Sequence, residues 1–232
     1  MHQRTSVSRE ICLTFCLLLT LSIANAGGQS TAAAADAESC QRDGTRTVAQ
    51  NSSVRVFTRA GETSRSPGLY ACDRQSGRAT LLERSFESSD QYESQSEGFN
   101  SVRLVGAYVA WDRFSEYQYI PECKAGCPEG VTGTYVISYA VRVFSVRSRA
   151  FRTKKGLKSG PANQILKLNR FGGAVWGESL DDGQVRLHAM DGGGARILDE
   201  GSIDPTDVRQ LGKNFSWQKD GKTFTKPIHK SF

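Results

Sequence analysis

Residues 102–111 read VRLVGAYVAW, and this stretch decides the fold because versions of it return along the chain. Residues 166–176 read LKLNRFGGAVW and residues 208–217 read VRQLGKNFSW. With one extra residue allowed in the middle copy, each starts with an apolar residue, has a glycine near its centre and ends in tryptophan. Residues 47–57 (TVAQNSSVRVF) are a looser copy with Phe57 in the tryptophan position. Such recurrence is typical of a fold in which one β unit is used several times.

A second kind of segment follows three of these copies. Residues 69–83 (LYACDRQSGRATLLE) align without a gap on residues 185–199 (VRLHAMDGGGARILD), and residues 141–155 (VRVFSVRSRAFRTKK) have the same length. Each is typical of a hairpin whose turn is built on small residues. Two hairpins make a four-stranded antiparallel unit, and the spacing of 41 residues from Trp176 to Trp217 fits a propeller blade of about 40–45 residues.

The sequence therefore predicts an all-β, β-propeller-like fold of about three and a half four-stranded units, since the last copy ends after its third strand near residues 224–228. A four-bladed ring, an open β-sandwich-like stack and a ring completed by dimerisation remain open. We expect the central glycine of each copy, Gly106, Gly172 or Gly173, and Gly212, to lie in a tight turn. The polar residues 85–98 predict a mobile connection between units.

The units VRLVGAYVAWDR…VRVFSVRSRAF and LKLNRFGGAVWGES…VRLHAMDGGGARIL resemble the propeller-type repeats of exported bacterial proteins and are distantly similar to the TolB-like blade. They are more similar to uncharacterised secreted bacterial proteins with a cysteine in the first unit and a cysteine-rich loop in the second. The resemblance covers roughly residues 40–228. It implies a fold and an extracytoplasmic compartment, and no reaction. The Ser-Pro-Asp-Gly turn usual in TolB-type blades is absent from this sequence.

The N-terminus predicts export. Arg4 and Arg9 precede an apolar run at residues 11–23, and Ala24-Asn25-Ala26 follows as a small-x-small cleavage site. The run is shorter than the about 20 residues that a membrane span needs, so we expect a signal peptide at residues 1–26 and no span after cleavage.

The rest of the chain divides into a flexible leader at residues 27–44 and a single β-repeat domain at residues 45–232. The expected location is secreted or extracytoplasmic. After cleavage, 28 basic and 23 acidic residues remain, a net charge of +5. This mild excess in an exported protein gives no reason to expect a nucleic-acid partner. We expect a partner among envelope polymers or extracytoplasmic proteins, and the oligomeric state stays open.

Four cysteines lie beyond the signal peptide: Cys40, Cys72, Cys123 and Cys127. An even number in an exported chain is typical of disulfides, although four cysteines allow three pairings. We favour Cys40–Cys72, which would hold the N-terminal arm on the first unit, and Cys123–Cys127, which would close the loop CKAGC. A four-thiolate zinc site is the alternative. It is disfavoured because Cys40 and Cys72 are far apart in sequence, so we expect no metal and no cofactor.

The sequence gives weak support for catalysis. His188 is predicted to be an ordinary surface or second-face residue of the strand VRLHAM, His229 lies in the tail, and no G-x-S-x-G elbow accompanies them, so we expect no catalytic residues. A carbohydrate-active hydrolase is the alternative, because such enzymes use two carboxyl groups in one cleft. Its candidate carboxylates are Asp181, Asp182, Asp199, Glu200 and Asp204. Asp181-Asp182 precedes a glycine, which favours a turn.

Two surfaces are candidates for binding. The stretch 147–158 (RSRAFRTKKGLK) is strongly basic, and strand alternation would place Arg147 and Arg149 on one face with Phe151; Lys154 and Lys155 extend the patch. A charged hairpin that protects a sheet edge is the structural alternative. Aromatic residues of the predicted surface loop 114–134 form the second candidate: Phe114, Tyr117 and Tyr119. The repeated tryptophans are predicted to be core residues. We therefore expect an exported non-catalytic binding or scaffolding protein.

Overall fold

The computed structural model describes residues 40–41, 43–60, 66–90, 92–119, 133–157 and 167–228, all within one compact unit, 32–232. This part of the chain folds into strands and turns with one 3-10 turn, Pro205–Asp207. The all-β prediction is therefore confirmed. None of the described residues belongs to a helix long and apolar enough to cross a membrane.

The strands form four antiparallel sheets, each a run of consecutive strands paired with their sequence neighbours. The first sheet contains β1 (Thr45–Gln50), β2 (Val54–Arg59), β3 (Gly68–Asp73) and β4 (Ala79–Arg84). The second contains β5 (Phe86–Ser89), β6 (Glu93–Val105), β7 (Tyr108–Tyr119), β8 (Thr134–Ser145) and β9 (Ala150–Leu157). The third contains β10 (Lys167–Leu168), β11 (Ala174–Ser179), β12 (Val185–Asp191) and β13 (Gly194–Gly201). The fourth contains β14 (Arg209–Leu211), β15 (Asn214–Lys219) and β16 (Lys222–Pro227).

The tryptophan-ending segments are the β6–β7, β10–β11 and β14–β15 hairpins of the second, third and fourth sheets, and their glycines make the turns. Gly106, Gly172 and Gly212 have φ angles of 58°, 84° and 63°. This left-handed backbone suits glycine because a side chain would be strained there, so the predicted turn positions are confirmed. The first sheet, which lacks a glycine here, turns on Asn51, whose side-chain oxygen accepts hydrogen bonds from the backbone N–H groups of Ser53 and Val54 at 2.9 Å each.

The second sheet differs from the prediction in two places. The expected mobile connection at residues 85–98 instead contains β5 and the start of β6, so this sheet has five strands. The expected surface loop at residues 114–134 starts as strand, because β7 continues to Tyr119 and pairs with β8 along its whole length. Both strands were missed because they are rich in serine, glutamate and glutamine. They therefore lack the alternation of apolar and polar residues by which a half-buried strand is recognised.

The cores lie between successive sheets. Val56 and Leu69 of the first sheet pack with Trp111 of the second, and Val143 of the second packs with Trp176 of the third. Leu187 of the third sheet packs with Trp217 of the fourth. All three indole rings are at most 1% exposed. The prediction that the tryptophans are core residues is confirmed, because each fills the space that one sheet leaves against the next.

The outer face of the first sheet is covered by the start of the described chain. Cys40 forms a disulfide with Cys72 of β3, as predicted, and this bond excludes a zinc site that uses all four thiolates. Phe57 stacks on Tyr70 beside the disulfide, with ring centroids 5.4 Å apart. The predicted Cys123–Cys127 bond lies outside the described residues.

Candidate functional site

Two of the three inter-sheet tryptophans donate to a carboxylate that also contacts a basic side chain. Trp111 Nε1 donates to Glu83 of the first sheet at 3.3 Å, and the carboxylate also contacts Arg113 Nε at 3.5 Å. Trp217 Nε1 donates to Asp199 of the third sheet at 2.8 Å, and Lys219 Nζ contacts the same carboxylate at 2.8 Å. In both joints the acid comes from the last strand of the preceding sheet, and the base lies two residues after the tryptophan.

The joint between the second and third sheets has the opposite polarity. The residue two after Trp176 is Glu178, an acid. In the first sheet Glu83 pairs with Leu69 across the last two strands. In the second sheet the equivalent position, opposite Val141, is occupied by Lys154. Trp176 Nε1 therefore lacks the carboxylate that its counterparts have, and it is a buried donor with no hydrogen-bond partner in the described structure.

His188 is the buried polar group of this joint. It stacks on Trp176 with ring centroids 5.3 Å apart, and its Nε2 lies 2.7 Å from Glu178 Oε2. The prediction of a surface residue is wrong and the second-face alternative is right, because the third sheet is covered on both faces and His188 is only 4% exposed. Burial lowers the pKa of His188 despite Glu178, which raises it, while Arg186 and Lys154 act with burial.

The candidate hydrolase carboxylates have structural partners. Asp181-Asp182 lies in the β11–β12 turn as predicted, where Asp182 accepts the backbone N–H of Gln184 at 3.0 Å. Glu200 contacts Arg186 at 2.6 Å, and Asp204 caps the 3-10 turn. Asp199 belongs to the Trp217 joint. Asp182, Asp199, Glu200 and Asp204 therefore each accept a hydrogen bond or pair with a basic side chain within the described structure.

Asp112 is a buried acid that the sequence did not single out. It directly follows Trp111, is 4% exposed, and its Oδ1 has no partner within the described part of the chain. Burial raises the pKa of this carboxyl, although Ser101 and Arg103 act in the opposite direction. Ser101 lies in the β6 bulge between Asn100 and Arg103 with a φ of 47°. Only the register of β6, which is not readable from the sequence, brings these groups together.

The aromatic candidates belong to a projecting part of the second sheet. Strands β6, β7 and β8 have 12 or 13 residues, against 6 in each strand of the first sheet, so they extend about 20 Å further. We call residues 86–90, 92–99, 113–119 and 133–139 the sheet extension. Phe114, Tyr117 and Tyr119 all lie in it, on β7 and not in a loop as expected. Phe114 lies against Gly98 of the neighbouring strand β6, and the two tyrosines are on the opposite face of the sheet.

Exposed apolar residues are concentrated on one face of the extension. Cross-strand pairing joins Tyr119 to Glu93, Tyr117 to Val136 and Phe86 to Glu97, and directly opposed residues share a face. Phe86, Tyr119 and Val136 are 45%, 37% and 50% exposed. We call this the tyrosine face. It continues the side of the sheet on which Trp111 packs.

Each face of the extension also has a tyrosine–glutamate pair. On the tyrosine face, partial burial and a hydrogen bond to Glu93 raise the pKa of Tyr117. On the other face Tyr135 Oη donates to Glu116 at 2.9 Å, and this bond raises the pKa of Tyr135. Both phenols therefore stay protonated at neutral pH and are fixed as donors to carboxylates.

The basic candidates lie at the other end of the second sheet. Arg147 and Arg149 are in the β8–β9 turn, so the predicted strand alternation that placed them with Phe151 is wrong. Arg149 donates to Thr80 of the first sheet at 3.0 Å. Phe151 packs on Phe144, with ring centroids 4.5 Å apart. Lys155 is exposed and Lys154 half-buried; Lys158 and His229 lie outside the described residues.

The described residues contain no group of three or more His, Cys, Asp or Glu side chains placed to hold a metal ion. Basic and aromatic candidates are separated along the second sheet and do not form one site. Compared with family models and with curated proteins, the chain matches none.

Proposed function

We propose that this chain is an exported, non-catalytic binding or scaffolding protein of the extracytoplasmic space, built as a propeller-like set of repeated sheets similar to those of secreted bacterial proteins. One observation carries the proposal: the second sheet projects beyond its neighbours and exposes aromatic and apolar side chains at its outer end. A rigid β scaffold with a projecting, partly apolar surface is typical of a binding protein.

Further support comes from the cysteines and the carboxylates. The Cys40–Cys72 bond fits an oxidising compartment and therefore export. The acids that a carbohydrate-active hydrolase would need have structural partners, as described above, so the binding role is the better interpretation.

The proposal is tested by co-sedimentation of residues 27–232, kept oxidised, with cell-wall and polysaccharide preparations across a salt series. We expect retention of the wild-type protein. Retention that falls steeply with salt would assign binding to the basic turn, and the variant Arg147→Glu/Lys155→Glu should then abolish it. The variant Arg209→Glu/Lys213→Glu, which makes the same charge change on the fourth sheet, is the control and should bind normally.

Retention that is indifferent to salt would assign binding to the sheet extension, and Tyr119→Ser should reduce it. No retention on any preparation at any salt concentration would contradict envelope-polymer binding and leave a protein partner as the remaining form of the proposal.

A further inference from the structure

We infer that the tyrosine face of the sheet extension binds a basic polypeptide segment, so that the partner is a protein region rich in lysine or arginine. The inference rests on the proposed binding function and names the class of partner and the surface that meets it.

The charge of the extension is the first argument. Its residues include five carboxylates and one guanidinium, a net charge of −4, whereas the whole chain carries +6. The acids are Glu87, Asp90, Glu93, Glu97 and Glu116. The one cation, Arg113, lies on the same face of β7 as Tyr117 and Tyr119 and pairs there with Glu97 and Glu83, so Glu93 is the acid that this face offers to a partner. Because the acids are concentrated in the extension, it attracts cations locally although the protein as a whole is basic.

The arrangement of the tyrosine face is the second argument. Tyr117 and Tyr119 alternate along β7, and Glu93 lies directly opposite Tyr119 on β6. Val136 continues the apolar strip onto β8, opposite Tyr117. Lysine and arginine have an aliphatic stem and a charged head, and such side chains pack their stems on apolar surface while the head meets a ring or a carboxylate. The tyrosine face offers all three contacts within three adjacent strands.

The other face of the extension is the natural comparison. It has the same pair of residue types, Tyr135 and Glu116, but Tyr135 is its one strongly exposed apolar side chain among the described residues. Ile137 and Tyr139 beside it are half-buried. We therefore assign the basic segment to the tyrosine face, and the opposite face supplies a control with matched chemistry.

The test measures binding of a fluorescent ten-residue peptide of alternating lysine and serine by anisotropy, with an alternating glutamate and serine peptide as the charge control. The protein is residues 27–232, oxidised, at about 0.15 M salt, where the Debye length is about 8 Å. We expect saturable binding of the lysine peptide alone. Glu93→Gln/Tyr119→Ser should weaken it about fivefold, the sum of one lost surface ion pair and one lost cation–ring contact.

The matched variant Glu116→Gln/Tyr135→Ser changes the same residue types and the same net charge on the opposite face, and it should leave the dissociation constant within about twofold. Equal weakening by both variants would overturn the inference, because only general charge would then matter. Absence of lysine-peptide binding would also overturn it. So would the finding that a neutral polysaccharide binds the protein and that Tyr119→Ser abolishes this binding.

Failure here and failure of the proposed function are distinguishable. Envelope retention without lysine-peptide binding contradicts only the basic-segment inference. Peptide binding that follows the tyrosine face, without retention on any envelope preparation, supports the inference and contradicts envelope-polymer binding.

Discussion

Glu83 has three side-chain partners at the joint between the first and second sheets. It accepts from Trp111, contacts Arg142 Nη1 at 2.6 Å and lies 3.5 Å from Arg113. Its side chain is 9% exposed, so these contacts are made away from bulk water. Removing the charge would leave two half-buried guanidinium groups without their shared carboxylate, and such loss of one partner destabilises more than the ion pair itself stabilises.

Glu83→Gln is therefore expected to lower the free energy of unfolding by about 2–3 kcal/mol. Urea unfolding followed by tryptophan fluorescence measures this. Glu87→Gln, on the exposed strand β5, is the control and should change the value by less than about 0.5 kcal/mol. Similar midpoints for the two variants would show that the joint does not depend on this carboxylate.

His188 makes stability depend on pH. Burial lowers its pKa below 6.5, so the unfolded chain takes up a proton at a higher pH than the folded protein does. The contribution of neutral His188 is complete above about pH 6.5 and is lost as the pH falls below that value, because the unfolded state then binds more protons. The slope is positive with pH, and about 1.4 kcal/mol per pH unit is its upper limit for one proton.

His188→Gln should remove this slope in the pH window just below about 6.5, since glutamine keeps a donor for Glu178 and does not titrate in that range. Unfolding curves at several pH values compare the two proteins, and His229 is present in both. A wild-type stability that is flat across this window, or an equal slope in the variant, would contradict the assignment.

At the scale of elements, a buried amide joins the start of the third sheet to the end of the fourth. Asn169 Nδ2 donates to the carbonyl of Ile228 at 2.6 Å, and its Oδ1 accepts the N–H of Gly173 at 2.9 Å. A Cβ atom on Gly173 would lie 2.5 Å from the Ile228 oxygen and 2.8 Å from Asn169 Nδ2. Glycine is needed there because the end of β16 approaches the β10–β11 turn so closely.

Gly173→Ala should therefore destabilise the protein by about 2–4 kcal/mol, as expected when backbone must move to relieve overlap. Gly212→Asn is the comparison, because that turn has open space around Cα and asparagine tolerates positive φ. Thermal unfolding should show a clear loss of Tm for the first variant and a small change for the second. A small change for both would mean that the turn can open without cost.

Local patterns were enough to predict most of the elements but not their extent. The turns at Gly106 and Gly212 and the burial of the tryptophans follow from period and turn chemistry, which act over a few residues. The extension of β7 past Phe114 could not be predicted, because its strand partners supply the pairing and its own alternation is polar. The buried state of His188 was missed for a related reason: it depends on which sheet covers the second face.

At the scale of the whole molecule, the Cys40–Cys72 bond joins the chain before β1 to the centre of the first sheet across 32 residues of sequence. Closing a loop of this length restricts the unfolded chain and stabilises the fold by about 3–4 kcal/mol in the loop-entropy model. Cys40→Ala/Cys72→Ala should lower the free energy of unfolding by about that amount. Guanidinium unfolding of both proteins measures it, and a loss below about 1 kcal/mol would show that the unfolded chain is already restricted.

The alternating polarity of the three joints has a consequence for rearranging this chain. The last strands of the first, second and third sheets carry Glu83, Lys154 and Asp199, and in the following sheets Arg113, Glu178 and Lys219 lie two residues after the tryptophan. If the second sheet were excised, Glu83 would meet Glu178; if the third were excised, Lys154 would meet Lys219. Either splice brings like charges together at a buried seam, so these sheets are not interchangeable modules, and a viable shortened chain has to lose the second and third as a pair.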